Sequence, residues 1–260
     1  AVGFYRPHVP LFAPAKYFKS RPISEFKLPV INDKDRDDLP SAAVQLIANP
    51  TPPKHEWFVE SGKWIEAIQA YHACVTYTDH QVGRLLDALD ASSYSDNTII
   101  VLFSDHGFHL GEKKSWAKRS LWERSTRIPL IISVPGGIKG GRCSRPVELL
   151  GLFPTLNELC GLPKLRGLDG VSIKPLLDDP NAEWTSPALT TFKEGNHAVR
   201  SERFRYIRYA DGSEEFYDHL KDPNEWVNLA SRADHKPIIM KHAKMLEQIL
   251  KKNEHQISNE

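Results

Sequence analysis

Between residues 60 and 91 the apolar positions fall at spacings of three, four and seven: Trp64, Ile68, Tyr71, Val75, Val82, Leu85, Leu86 and Leu89. That period predicts an amphipathic helix with one buried stripe, and makes Asp79, inside it, a buried polar tie rather than a ligand. Ser92-Ser93-Tyr94-Ser95-Asp96-Asn97 then supplies turn chemistry. Residues 98–103 form a continuous β-branched and apolar run without alternation. Such a run predicts a strand buried on both faces, as in parallel sheets covered by helices. A second run at 129–134 stops at Pro135-Gly136-Gly137. Helix, strand, loop, strand is the grammar of an α/β fold.

The flanks read differently. Residues 1 to about 55 hold nine of the nineteen prolines, which predicts no regular helix there. Within them, residues 3–10 are aromatic and β-branched enough to end a strand that runs into a loop. A short helix is expected at 154–160, begun by Pro154 where a missing donor costs nothing. From about 190 the pattern turns to short strands at 198–200, 206–209 and 215–217, with Asp211-Gly212 as a hairpin signal. A helix at 236–251 places Ile239, Ala243, Leu246, Ile249 and Leu250 on one face. The expected organisation is an α/β body over 1–189, and a small C-terminal antiparallel sheet with a closing helix over 190–260.

Composition narrows the function classes. An apolar fraction of 40% and a formal net charge of +1 are ordinary for a globular protein and give no reason to expect nucleic acid as a partner. No apolar run approaches a membrane span. Cys74, Cys143 and Cys160 show neither CxxC pairing nor metal-ligand spacing. An odd count allows at most one internal disulfide, and free thiols are expected for at least some.

The chemistry concentrates at Ser104-Asp105-His106-Gly107, directly after the first buried run. In parallel α/β sheets, ligands bind outside the carboxyl ends of the strands. A carboxylate beside an imidazole there serves a metal, an anion or a capped turn, and Gly107 lets the backbone turn away.

The surrounding residues carry a resemblance. Ser104-Asp105-His106-Gly107 continues through Leu110-Gly111-Glu112, Trp116-Ala117-Lys118, Glu123 and Arg127-Ile128-Pro129-Leu130. With Gly3-Phe4-Tyr5-Arg6-Pro7-His8-Val9-Pro10 before it and Leu152-Phe153-Pro154-Thr155 and Leu168-Asp169-Gly170 after it, the chain resembles the sulfatase family, nearest its iduronate-sulfatase-like branch. The likeness runs on to Tyr217-Asp218, Asp222-Pro223 and Glu225-Trp226-Val227-Asn228-Leu229, and so covers nearly the whole chain. It implies part of an alkaline-phosphatase-like, mostly parallel sheet flanked by helices. It also implies a calcium ion, with Asp105 and His106 as metal ligands, although calcium prefers oxygen donors. Lys118 matches a lysine that contacts a sulfate oxygen, and His8 a histidine near the leaving oxygen that suits a general acid. Lys113, Lys114 and Arg119 lack such support and read as surface charges. Glu123 and Arg127 read as supports of the site or as a surface ion pair. His197 and Arg200 are expected where the C-terminal unit faces substrate.

The resemblance also implies a formylglycine nucleophile, made from cysteine or serine in a Cys/Ser-x-Pro/Ala-x-Arg pattern, and a pair of aspartates completing the calcium site. None of the three cysteines lies in that pattern, and the aspartate pair has no counterpart. Both are expected upstream, in a missing N-terminal half of the same enzyme, so this chain alone is expected to be inactive and poorly soluble. A sulfated carbohydrate or other sulfate ester is the expected substrate, and a periplasmic or secreted location follows from the resemblance. Two alternatives stand beside it: a phosphodiesterase or phosphonate hydrolase of the same superfamily, and a non-catalytic module binding anionic glycans.

Overall fold

The prolines before residue 55 mark where helices start rather than excluding them. The computed structural model describes residues 1–48 and 52–257. In it α1 (Ala15–Lys19) follows Pro14 and α2 (Ser41–Ile47) follows Pro40. A proline at a helix start loses no intrahelical bond, so the expectation of no helix fails at these two places. Residues 1–5 form no strand, and 6–10 are turns and bends that bring the His8 N–H to the Tyr5 carbonyl at 3.1 Å. The expected strand end is therefore a loop.

After α3 (His55–Glu60) comes α4 (Trp64–Asp90), the helix that the apolar spacing predicts. Trp64 and Ile68 pack with Phe58 and Trp116, whose rings stack at a centroid distance of 3.7 Å. Further along, the stripe is only partly covered: Val75 and Leu85 are exposed. Asp79 is exposed as well and is no buried tie; on this stretch of α4 it is Tyr77 and His80 that meet Tyr17 of α1.

The α/β body continues with β1 (Ile100–Phe103), β2 (His109–Leu110), β3 (Trp116–Ala117), the short helix α5 (Glu123–Thr126) and β4 (Leu130–Ser133). β1 and β4 pair antiparallel, Ile100 opposite Ser133 and Phe103 opposite Leu130. The parallel pairing expected for these two runs is thus not between each other. Nor are they fully buried: Phe103 is 50% and Ile131 60% exposed, since the described residues hold no further strand in that sheet. β2 and β3 form a two-stranded ribbon in the connection between them.

Helix α6 (Leu152–Leu159) begins two residues before Pro154, which still lies in the first turn where its N–H is not needed. After α7 (Lys174–Asp178), a four-stranded antiparallel sheet runs in chain order: β5 (Ala188–Thr191), β6 (His197–Arg200), β7 (Phe204–Arg208) and β8 (Glu214–Asp218). Gly212 takes φ +83° in the expected β7–β8 hairpin. β5 is an addition to the expected strands.

Alternation places Val199, Tyr206 and Phe216 on one face of this sheet, against Ile239 and Leu246 of α8 (Lys236–Ile257). The other face turns Ala198, Ile207 and Tyr217 toward Leu121, Trp122 and α2. Burying one such large side chain is worth about 1.5–3 kcal/mol, so the sheet is fastened to the segment that carries the candidate site. No helix among the described residues is long and apolar enough to cross a membrane. Cys74 is buried, Cys143 and Cys160 are exposed, and all three are free thiols.

Candidate active site

Three separate pieces of chain meet at the C-terminal end of β1. Ser104 Oγ donates to the His106 carbonyl at 2.9 Å and closes the turn. His106 Nδ1 lies 2.9 Å from the Gly107 carbonyl, so Nδ1 carries the proton and donates. In the neutral ring the Nε2 lone pair is then free, and it faces Asp105 Oδ2 at 3.5 Å. Asp105 is largely exposed and His106 partly so. Gly107 keeps an ordinary negative φ. It is needed for close approach instead: a Cβ there would stand 2.2 Å from the Arg124 carbonyl oxygen.

His8 arrives from the proline-rich opening, with its ring centroid 6.3 Å from that of His106. Its Nδ1 lies 2.7 Å from the Val9 carbonyl and is likewise the protonated nitrogen. Nε2 is left as an acceptor, and Lys118 Nζ donates to it at 2.7 Å. Lys118 follows Ala117, whose φ of +71° turns the chain out of β3. Burial lowers the Lys118 pKa and nearby Arg119 adds to this, while the Asp105 carboxylate opposes both.

His197 and Arg200 occupy the two ends of β6. Thr191 Oγ1 is 2.9 Å from His197 Nδ1, and burial together with Arg208 lowers the His197 pKa. Arg200 Nε bonds Glu123 Oε2 at 3.2 Å. Glu123 therefore pairs with Arg200 and with buried Arg205 rather than with Arg127.

Two charges behave unlike their sequence reading. Lys113 is not a surface charge: it is 3% exposed, with its ammonium 2.7 Å from the buried Asp35 carboxylate and also bonded to the Glu225 carbonyl. Its partner lies 78 residues away and leaves no local signal. Lys114 is half-buried and donates to the Asp33 carbonyl. Glu123, His219 and Glu225 bring ligand atoms within 4.8 Å of one another. Arg200 and Arg205 already balance their charge, so the cluster needs no cation.

A serine form of the formylglycine pattern does occur, at Ser115-Trp116-Ala117-Lys118-Arg119, and sequence reading passed over it. Ser115 is 8% exposed, its carbonyl accepts the Gly111 N–H at 3.0 Å, and Trp116 beside it is locked against Phe58.

The family description "Sulfatase" matches residues 1–162, and the description "N-sulphoglucosamine sulphohydrolase, C-terminal" matches 111–253. The chain belongs to the sulfatase family. A sulfatase of Formosa agariphila is 44% identical over 231 residues, covering 89% of this chain and 46% of that protein. Human iduronate 2-sulfatase is 30% identical, covering 79% of this chain and 41% of its own length. This sulfatase chain thus spans about half the length of the relatives it matches. A solved structure of a protein in complex with its substrate D-glucosamine-2-N,6-O-disulfate superposes with a TM-score of 0.64 at 28% identity, covering 78% of this chain and 43% of that one. The phosphonate monoester hydrolase of Agrobacterium radiobacter superposes at 0.81 over 95% of this chain and 55% of its own, but at 24% identity that likeness shows the fold alone.

Proposed function

We propose that the complete protein hydrolyses a sulfate ester of a sugar, and that this chain supplies the metal-facing and proton-handling part of the site. The observation carrying the reading is the Lys118–His8 contact, 2.7 Å long, beside the Asp105–His106 turn. An ammonium suits the peripheral oxygens of a sulfate group, and an imidazole suits the departing sugar oxygen. In the resting state the two are bonded to each other. A bound sulfate would draw the Lys118 ammonium onto its own oxygens and free the His8 Nε2 lone pair to take up a proton from solvent, which the resulting imidazolium would then give to the leaving sugar oxygen.

Asp105 and His106 fit a cation, since a carboxylate oxygen and an imidazole lone pair face each other across 3.5 Å. They would furnish two donors where calcium takes six to eight, so the remainder must come from elsewhere in the protein. Calcium would offset the charge of the sulfate, and a formylglycine upstream would supply the attacking oxygen. His197 and Arg200 belong to the proposal as substrate-facing positions. Their support is placement at the ends of β6, and their hydrogen bonds to Thr191 and Glu123 would have to be shared with substrate.

Titration with a sulfate monoester and calcium, followed by nitrogen NMR of labelled histidines, tests this. The reading expects the ester to perturb His8 Nε2, and calcium to perturb His106 Nε2. Ester binding that leaves His8 unmoved, or calcium binding that leaves His106 unmoved, would refute the assignment.

A further inference from the structure

The His106–Gly107 turn and the Lys118 arm are held by one four-residue helix that cannot hold itself. An isolated turn of helix is unstable, and α5 has no side-chain cap of its own. Yet its contacts reach both arms of the candidate site. The Ser125 carbonyl accepts the Gly107 N–H at 2.8 Å, and the Gly107 Cα packs so closely on the Arg124 carbonyl that no Cβ fits. On the other side, Ser125 Oγ is 2.7 Å from Ser120 Oγ, two residues past Lys118, and Ser120 Oγ is 3.0 Å from His109 Nε2. His109 Nδ1 donates to the Glu112 carbonyl at 3.2 Å, which leaves Nε2 as an acceptor. Ser120 must then donate to His109, and Ser125 to Ser120. This chain has only one direction.

What fixes α5 is a guanidinium. Arg205 is 2% exposed and lies in β7. Its Nη1 donates to the Leu121 carbonyl at 2.9 Å, and its Nη2 to the Glu123 carboxylate and to Thr126 Oγ1 at 3.0 Å. Its Nε lies 2.7 Å from Glu225 Oε1, while Glu225 Oε2 accepts the Glu123 N–H at 2.9 Å. Arg205 and its partner Glu225 therefore grip both ends of α5 and the residue before its cap.

We propose that Arg205 is a positioning residue for the sulfate-ester site, acting through α5 on the His106–Gly107 turn and on the Lys118 arm. The proposal rests on the functional reading above only for what the site binds. A planar fork with several fixed N–H directions is required here, and an ammonium cannot reproduce it.

The test compares wild type, Arg205→Lys and Thr126→Val by amide exchange and by histidine nitrogen NMR. Arg205→Lys is expected to speed Gly107 amide exchange roughly tenfold and to move His106 from its single Nδ1–H tautomer to a mixture. Amides of β6 and β8 are expected to keep their protection. Thr126→Val, which removes one acceptor of the fork and no charge, is expected to shift the same signals by less. Unchanged Gly107 exchange and an unchanged His106 tautomer in Arg205→Lys would overturn the proposal. So would an Arg205→Lys protein that fails to fold beside a Thr126→Val protein indistinguishable from wild type. A wild type that binds no sulfate ester would defeat the functional reading while leaving both readouts of α5 intact.

Discussion

Lys118 Nζ donates to His8 Nε2 across 2.7 Å of space and 110 residues of chain. The contact is specific to one tautomer, because the Val9 carbonyl holds the proton on His8 Nδ1. Two groups proposed to share a sulfate ester thus satisfy each other in its absence.

Replacing Lys118 by Met should leave stability within about 1 kcal/mol, since the side chain is only partly buried and no core contact is lost. Sulfate binding should fall by at least roughly tenfold, given what one charge-assisted bond is worth. Denaturant unfolding beside sulfate titration checks both. A large stability loss with unchanged sulfate affinity would make Lys118 structural.

The Asp35–Lys113 pair is buried on both sides. Asp35→Ala should cost about 3–5 kcal/mol by stranding an ammonium, whereas the double replacement Asp35→Leu with Lys113→Met should cost far less. Urea denaturation of the two variants decides it, and equal losses would contradict the pairing.

His109 contributes to acid stability in one window, where burial also lowers the pKa of His55, His72, His197 and His242. Burial pushes its pKa down to about 4, with the Glu112 carboxylate opposing. An unfolded histidine titrates near 6.5, so between pH 6.5 and 4 the unfolded chain binds more protons than the folded one. Stability is then full above 6.5 and declines as pH falls toward 4, by on the order of 3 kcal/mol. Glu225 works lower down. Burial opposes its charge, but Arg205 and His219 outweigh that and hold it at about 2, so its contribution fades below the ordinary glutamate value of 4.5. His109→Gln should make the upper slope shallower and leave the lower window unchanged. Thermal melts across pH read the difference, and an unaltered upper slope would contradict it.

Ser115 matches the letters of the formylglycine pattern, but the residue is buried. Peptide mass spectrometry should find intact serine there. An aldehyde two hydrogens lighter at Ser115 would show that the chain carries its own nucleophile.

Much of this was legible in the sequence, for physical reasons. The three-and-four spacing from Trp64 specified α4, because a helix repeats on one face. The Asp211-Gly212 signal located the β7–β8 hairpin, because Gly212 supplies the positive φ the turn needs. The juxtaposition of His8, Lys118, Asp105 and His106 followed from resemblance, not from period or spacing. What stayed hidden was non-local. Lys113 reads as one lysine among several until Asp35 is brought to it, and Arg205 looks like any strand arginine until α5 lies on it. The antiparallel pairing of β1 with β4 could not be read from the sequence, because continuous apolar runs signal burial without giving strand direction.

The proposed activity is sulfate-ester hydrolysis at a site that uses Lys118 and His8. Its most direct test is turnover by the complete polypeptide encoded at this locus, given matched sulfate, phosphate and phosphonate esters with calcium present. Sulfate-ester turnover should dominate, and Lys118→Ala and His8→Ala should each lower kcat by about a hundredfold or more. Phosphonate or phosphate turnover without sulfate turnover, or a Lys118→Ala enzyme as active as wild type, would contradict it.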